Sequence, residues 1–425
     1  MKRVVILCVW LFSVVAGHAQ LSLDECRRLA RENYPEIRQY DLVHQTEQYN
    51  LSNAARAWIP QLAFSAQATW QTDAPNFPKE LTGMLAQQGL EIPGLRKDQY
   101  KVALELNQTI WDGGKSVADK RIARAEAAEQ KTMTDVDLYE LEGRVDDLYF
   151  GILLLDERIA QTNLTLNLLR SNLEKVRALQ RNGVAMQSDA DVLEAELLSV
   201  GQQLIQFESS CDSYRRMLGI FIGQRVGDRK LQRPSAVQPL SGESARPELA
   251  MFAAKIDRLT AQEKMVKSSM PRLGFFAQGY YGYPGLDYMQ SMMNNDWSWN
   301  AMLGVKLSWN FWAYYTQKNN LNKLRTSRQQ VEVQRDVFLF NMNLQAAQEN
   351  GDIARLRKAI ADDDRIVALR RSVREAAESK LRNGIIDTHD LLSKITDEST
   401  ASMARSMREI ELLKAIYEYK HTINR

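Results

Sequence analysis

Histidine and cysteine are nearly missing from this chain, with 4 and 3 residues respectively among 425. His18, His44, His389 and His421 stand far apart, with no i, i+4 pair and no Cys-x-x-Cys to hold a metal ion, so neither a metal centre nor histidine-based catalysis is expected. No cofactor and no enzymatic activity follow from such a composition. Cys26 and Cys211, the thiols beyond the first twenty residues, both sit in helix-like sequence and are expected to be buried and unbonded rather than a disulfide framework. An excess of one charge is lacking too: 55 basic residues face 53 acidic ones, which leaves no footprint for nucleic acid. No run reaches about 18 uninterrupted apolar residues, which excludes a membrane-spanning helix. The apolar stretch from Val4 to Val15, preceded by Lys2 and Arg3 and closed by Gly17, His18 and Ala19, is short and reads as a secretory signal peptide over residues 1–19. Cys26 lies too far past that cleavage point to carry an N-terminal lipid.

A phosphate loop is also missing, although "QTIWDGGKS" (Gln108 to Ser116) imitates the end of one. The glycine needed five residues before Gly114 is Thr109, so the ring of backbone N–H groups that cradles phosphate cannot form. The preceding run alternates, with Tyr100, Val102, Leu104, Leu106 and Ile110 set against Lys101, Glu105, Asn107 and Thr109. Such a strand has one greasy and one wet face, unlike the doubly buried strands of nucleotide-binding sheets.

What the chain does have is itself, twice. "NYPEIRQY" is answered by "ARPELAMF", "WIPQLAFSAQATW" by "SMPRLGFFAQGYY", "VALELNQTIWDGGK" by "MLGVKLSWNFWAYY", and "LQRNGVAMQSDADVL" by "KLRNGIIDTHDLL". Four landmarks in one order, offset by about two hundred residues, point to duplication and not to a short-period solenoid. The expected division is residues 20–245 for the first repeat and 246–425 for the second. Each repeat reads helix, strand, strand, long helix, turn, helix.

All four strands alternate. Leu62, Phe64, Ala66, Ala68 and Trp70 make one face of the first; Leu273, Phe275, Ala277, Tyr281 and Tyr283, then Ala301, Leu303, Val305, Leu307, Trp309 and Phe311, make faces of the later two. Period-two alternation over about ten residues fits a barrel strand with lipid outside and water inside, though a half-buried strand of a soluble sandwich alternates as well. Tryptophan placement favours the barrel: Trp58, Trp70, Trp111, Trp297, Trp299, Trp309 and Trp312 all lie in or beside these strands. Interfacial belts place Trp and Tyr in this way. Four strands cannot close a barrel, which needs about eight, so the wall has to be shared between copies.

From Gly114 no proline occurs until Pro234. Leu138, Leu141, Val145, Leu148, Ile152, Leu155 and Ile159, then a polar Thr162, then Leu166, Leu169, Leu173 and Val176 form an alternating three-and-four seam. Leu193, Leu197, Val200, Leu204, Phe207, Cys211, Tyr214, Leu218 and Phe221 return it. A helix from about Lys115 to Arg181 spans roughly 100 Å. The second repeat carries a thinner seam, through Ile353, Leu356, Ile360 and Val367 outward and Leu392, Ile395, Ile410 and Leu413 back. Asp362, Asp363 and Asp364 are expected on an exposed helix face. Gly113 and Gly114 are expected to turn the chain from strand to helix.

The Asn33-to-Ile37 segment, the Pro-x-Leu strand starts at Pro60 and Pro271, the Trp-Asp-Gly-Gly turn and the two Asn-Gly-Val/Ile turns resemble the TolC-like outer membrane efflux family over essentially the whole mature chain. The resemblance implies a mixed α and β membrane protein: long coiled-coil helices form a periplasmic tunnel, and four strands per chain join a shared twelve-stranded outer-membrane barrel. It implies a homotrimer in outer-membrane lipid acting as a passive exit duct for small molecules such as drugs, in a tripartite efflux or type I secretion system. The partners it implies are a periplasmic adaptor (membrane fusion) protein and an inner-membrane pump of RND or ABC type.

The periplasmic mouth and adaptor contact then fall on Gly183 with Val184 and on Gly384 with Ile385. Asp189 and Asp390 follow six residues after each glycine. A carboxylate there stabilises the first turn of the return helix; in a threefold assembly it also forms an acidic ring at the channel entrance. Asp191 contributes likewise. Leu381, Ile386 and Ser393 stand where relatives carry a closing latch and a second acidic ring, and "NFWAYYTQ" lacks the Gly-Gly pair of the first strand-to-helix turn. A secreted or surface coiled-coil adhesin is the alternative; it leaves unexplained why each long helix begins where an amphipathic strand ends.

Overall fold

The computed structural model describes residues 20–183, 185–236, 244–267, 271–285, 290, 294–383 and 385–424. Along the chain come α1 (Leu23–Asn33), a 3-10 turn (Pro35–Arg38), α2 (Gln39–Arg56), β1 (Gln61–Trp70), α3 (Lys79–Gln87), β2 (Asp98–Trp111), α4 (Lys115–Arg181) and α5 (Gln187–Ile222). There follow α6 (Pro247–Lys267), β3 (Arg272–Tyr283), β4 (Ser298–Ser308), α7 (Trp312–Arg382) and α8 (Thr388–Ile423). Among the described residues no helix is long and apolar enough to cross a membrane. The chain divides into two compact units, one of Met1–Tyr40, Lys131–Phe252 and Val333–Arg425, the other of Asp41–Gln130 and Ala253–Glu332.

In the first unit the three-and-four seam packs as its spacing dictates. Leu138, Leu141, Val145 and Ile152 of α4 are at most 2% exposed and meet Cys211, Leu218 and Ile222 of α5 and Ile410 of α8. Each such leucine or isoleucine stabilises the fold by about 1.5–3 kcal/mol relative to exposure. A second cluster joins Leu166, Leu169 and Val176 to Leu193 of α5 and to Leu391 and Ile395 of α8. Thr162 lies between the two clusters and is 2% exposed. Tyr214 departs from its seam position and is half-exposed, its ring lying over Gly151, where a Cβ would meet it at 2.5 Å. In α8 it is Leu391, not Leu392, that is fully buried.

The thinner seam of α7 and α8 has a partner in charge. Arg370 pairs with Asp397 at 2.8 Å, Arg371 and Arg374 with Glu398, Arg408 with Asp363 and Arg405 with Asp364. Numbers rise along one helix as they fall along the other, the signature of an antiparallel hairpin. Asp363 is therefore not on an exposed face: it is 4% exposed, because its place in the heptad turns it toward Arg408, whereas Asp364 faces outward.

α1 docks on the same core. Ser22 caps it by accepting the Glu25 N–H at 3.2 Å. Leu23, Cys26 and Ala30 are buried, and Arg27 reaches Asp146 of α4, Nε to Oδ1 at 2.7 Å and Nη2 to Oδ2. Leu21 bridges to Leu231, and the Tyr149 hydroxyl lies 2.7 Å from the Leu21 and Gln232 carbonyls. Cys26 and Cys211 are buried and unbonded. Burial, helped by the charges of Glu25 and Asp146, pushes the Cys26 thiol up to about 12, so it stays protonated and unreactive.

The second unit holds one antiparallel sheet of order β1-β2-β3-β4. Its edges are β1 and β4. The segment joining β1 to β2 is not wholly irregular, since α3 interrupts it, and Ala74 and Leu95 pack together beside Phe77 and Ile92.

Candidate functional site: the sheet faces and the hairpin tips

Register decides what each sheet face offers. Leu62 pairs with Leu106, which pairs with Ala277, which pairs with Leu303. The next rows are Phe64, Leu104, Gly279 and Ala301, then Ala66, Val102, Tyr281 and Trp299. Cross-strand partners share a face, so the four apolar stripes merge into one apolar surface. That surface has no cover: Leu62, Phe64, Trp70, Trp299, Leu303 and Leu307 are 64–78% exposed. At the loop end, Trp297 stacks on Tyr281 with ring centres 5.1 Å apart and lies 5.3 Å from the Tyr283 ring. The opposite face carries Gln61 with Asn107, Glu105 with Gln278, and Gln67 with Lys101. Gln278 donates from Nε2 to Glu105, and the Lys101 ammonium sits 4.5 Å from the centre of the Tyr280 ring.

One strand departs from strict alternation. The register shifts between Thr109 and Trp111, so Ile110 is bulged out and Trp111, not Ile110, opposes Leu273 of the apolar face. Trp309 and Phe311 lie just past the end of β4, their rings 4.7 Å apart.

The glycines of the first strand-to-helix turn have φ of 69° at Gly113 and 83° at Gly114, as the turn requires. Asp112, which the sequence reading passed over, does as much. Its carboxylate accepts the N–H of Gly114 at 2.9 Å and of Ser116 at 2.7 Å, satisfying donors that the start of a helix leaves orphaned. Burial alone would raise the Asp112 pKa; donation from Ser116 and Gly114 outweighs it and holds the carboxyl below its usual range. Ser116 in turn receives the Trp58 indole N–H at 2.9 Å. At the second turn Asn310 takes Asp112's part, accepting the Trp312 N–H at 3.1 Å. The Asp-Gly-Gly and Asn-x-Trp spacings were the available cues.

The hairpin tips come next. Gly183 has φ +72°, donates its N–H to the Gln180 carbonyl at 2.9 Å, and has nothing within 4 Å of a would-be Cβ. Ile385 is 68% exposed, and its N–H reaches the Lys380 carbonyl at 2.9 Å. Val184 and Gly384 lie outside the described residues. Ala185 and Ala190 from one tip and Ile386 and Leu391 from the other belong to a single apolar cluster, which brings the two turns to one end of the unit. Leu381 and Ile386 pack into that cluster.

Asp189 accepts the Met186 N–H at 2.8 Å and so caps α5. Asp390 is different: it is exposed, and its N–H donates to Asp387, the N-cap of α8, at 2.8 Å. Asp387 is a capping residue the sequence reading missed, although Asp-x-x-Asp before a helix is a capping pattern.

Comparison with known proteins agrees with this geometry. The sequence pattern of the family described as outer membrane efflux protein matches residues 27–223. No curated protein matches the chain in sequence. Among solved structures, the outer-membrane channel OprN superposes with a TM-score of 0.69 at 14% identity, over 94% of this chain and 89% of its own. VceC of Vibrio cholerae, an outer membrane protein, gives 0.66 at 15% identity, over 94% and 95%. MtrE, an outer membrane channel of Neisseria gonorrhoeae in its open state, gives 0.64 at 14%, over 94% and 88%. At such identities the likeness is one of fold. The sequence pattern over residues 27–223 thus makes this chain similar to the outer membrane efflux proteins, and the solved outer-membrane channels share its fold.

Proposed function

We propose that the chain is one third of a homotrimeric channel and arose by duplication of one helix-strand-strand-helix-helix repeat. Three sheets close a twelve-stranded barrel that continues into a helical tunnel. The channel is the passive exit duct of a tripartite efflux or type I secretion system. It is fed by an inner-membrane pump of RND or ABC type through a periplasmic adaptor, and passes small molecules such as drugs. The observation that carries this reading is the four-stranded sheet with one exposed apolar face and two edge strands, β1 and β4, that no other strand covers among the described residues. In lipid each unpaired backbone group costs several kcal/mol, and a barrel of fewer than about eight strands does not close. Two copies reach eight strands with a filled interior; three reach twelve and leave room for water. A coiled-coil rod has no use for the apolar face.

In this assembly Gly183, Val184, Gly384 and Ile385 meet the adaptor, while Asp189 and Asp390 form acidic rings at the entrance. The exposed Asp390 suits that role better than Asp189, whose carboxylate is engaged in its cap. The test is purification from outer membranes followed by planar-bilayer recording. The expected product is a trimer that conducts ions and loses cation preference in Asp390→Ala more than in Asp189→Ala. A water-soluble monomer that leaves bilayers silent refutes the reading.

A further inference from the structure

Charge is distributed over the two sheet faces in a way that barrel closure does not require. Among the described residues the only side chain on the apolar face that is charged at neutral pH is Asp98, the first residue of β2, which is held by Arg96 at 3.0 Å. The wet face carries four charged side chains: Lys101 and Glu105 on β2, Arg272 on β3 and Lys306 on β4, placed there by the pairings Lys101 with Gln67, Glu105 with Gln278, Arg272 with Ser308 and Lys306 with Gly274. Three are cations and one is a carboxylate. None of the three cations forms an ion pair among the described residues, and Arg272 and Lys306 are exposed. Lys101 stands at the loop end of the sheet, and Arg272 and Lys306 at the end where the helices begin. Glu105 lies between, its carboxylate taken up by Gln278.

Resting on the trimeric reading above, we propose that the barrel section is an anion-favouring filter, set by rings of Lys101, Lys306 and Arg272, and that its preferred cargo is small organic anions. Threefold symmetry turns each residue into a ring, and rings of lysine or arginine favour anions in a pore. With a Debye length of about 8 Å at physiological ionic strength, rings at both ends of the strands keep a wide barrel positive near its wall while its axis stays partly screened. The preference is therefore moderate. It opposes that of the acidic entrance, so the two have to be separated experimentally.

The experiment uses the purified full-length trimer in planar bilayers of zwitterionic lipid under a potassium chloride gradient. All variants are made on an Asp189→Asn, Asp390→Asn background, so that the entrance does not mask the barrel. The parent should favour chloride. Lys101→Gln, Arg272→Gln and Lys306→Gln combined should lower the chloride-to-potassium permeability ratio about twofold or more. Glu105→Gln, which keeps a partner for Gln278, should raise it and serves equally if the triple variant fails to assemble. Conducting channels whose ratio is unmoved by either change, or moved the opposite way, overturn the filter and leave the channel intact. Absence of conductance in the wild-type protein overturns the channel reading itself, and the filter with it.

Discussion

The Arg27–Asp146 pair offers the sharpest stability test. The side chains are 22% and 9% exposed, and the guanidinium meets the carboxylate through two nitrogens. Asp146→Ala leaves the cation in place without its anion. Breaking a buried pair on one side costs about 3–5 kcal/mol. Arg27 keeps the exposed Asp24 at 3.8 Å and the Tyr417 ring at 5.8 Å, so the lower end applies. About 3 kcal/mol is roughly a hundredfold in the equilibrium for lifting α1 off α4, at about 1.4 kcal/mol per decade. Amide hydrogen exchange over residues 23–33 of the detergent-purified protein measures it. Arg27→Met with Asp146→Leu, which removes both charges, should return exchange to within about tenfold of wild type. Glu32→Ala cuts the exposed Arg28–Glu32 pair of 3.0 Å and should change exchange less than about fivefold. If Asp146→Ala accelerates α1 no more than Glu32→Ala does, the pair does not anchor the helix and the reasoning fails.

Asp112→Ala should destabilise the first strand-to-helix turn by about 1 kcal/mol, the usual worth of an N-cap. Because the folded carboxyl titrates below its ordinary value of 3.8, its contribution is present above that value and is lost as pH falls through the lower folded one. Thermal denaturation between pH 3 and 7 should therefore show a gap between wild type and Asp112→Ala that narrows only at the acid end; a gap independent of pH contradicts the assignment. The second hairpin should respond to salt more than the first, which has two cross-helix ion pairs, Arg177–Glu194 and Arg215–Asp156, against five in the second. Raising ionic strength from 0.15 to 1 M shortens the Debye length from about 8 to 3 Å. The partly exposed Arg370–Asp397 and Arg405–Asp364 pairs weaken, so exchange in α7 and α8 should rise several-fold, while α4 and α5, held mainly by buried leucines, rise less. Equal responses in both hairpins would mean that charge does not hold the second together.

Legibility in the sequence followed the range of the forces involved. Strand faces and the α4 seam were readable because burial repeats every two or every three to four residues, and Lys115 to Arg181 was bounded correctly by a glycine pair and an Asn-Gly turn. Pairings that depend on hairpin register were not readable: nothing near Asp363 in the sequence distinguishes it from Asp362 or Asp364, and only the antiparallel alignment of α8 brings Arg408 to it. The bulge at Ile110 was hidden for the same reason, since it is a relation between two strands. Asn33 lies between these cases. The sequence singled it out as part of a motif, and its physical reason is distant: its amide donates to the carbonyls of Ile220 and Phe221 at 3.1 Å, closing the end of α5 beside Gly223. A family pattern covering residues 27–223 thus holds both halves of that cap.

The two strand-to-helix turns show which features of such a fold are obligatory. Both must deliver a chain from a strand into a helix of about seventy residues, and both therefore face orphaned N–H groups at the helix start. Each answers with a short polar side chain at the same place, Asp112 in one and Asn310 in the other. Glycine is not shared: the first turn uses positive φ at two positions, whereas among the described residues none from Asn310 to Trp312 has it. Backbone hydrogen-bond demand fixed the acceptor, while the path of the turn stayed free to vary. A difference of degree separates the hairpins, where close packing of antiparallel helices is common to both. A long leucine seam with two ion pairs, Arg177–Glu194 and Arg215–Asp156, joins α4 to α5, whereas a short apolar cluster at Ile353, Leu356 and Ile416 with five arginine–carboxylate pairs joins α7 to α8.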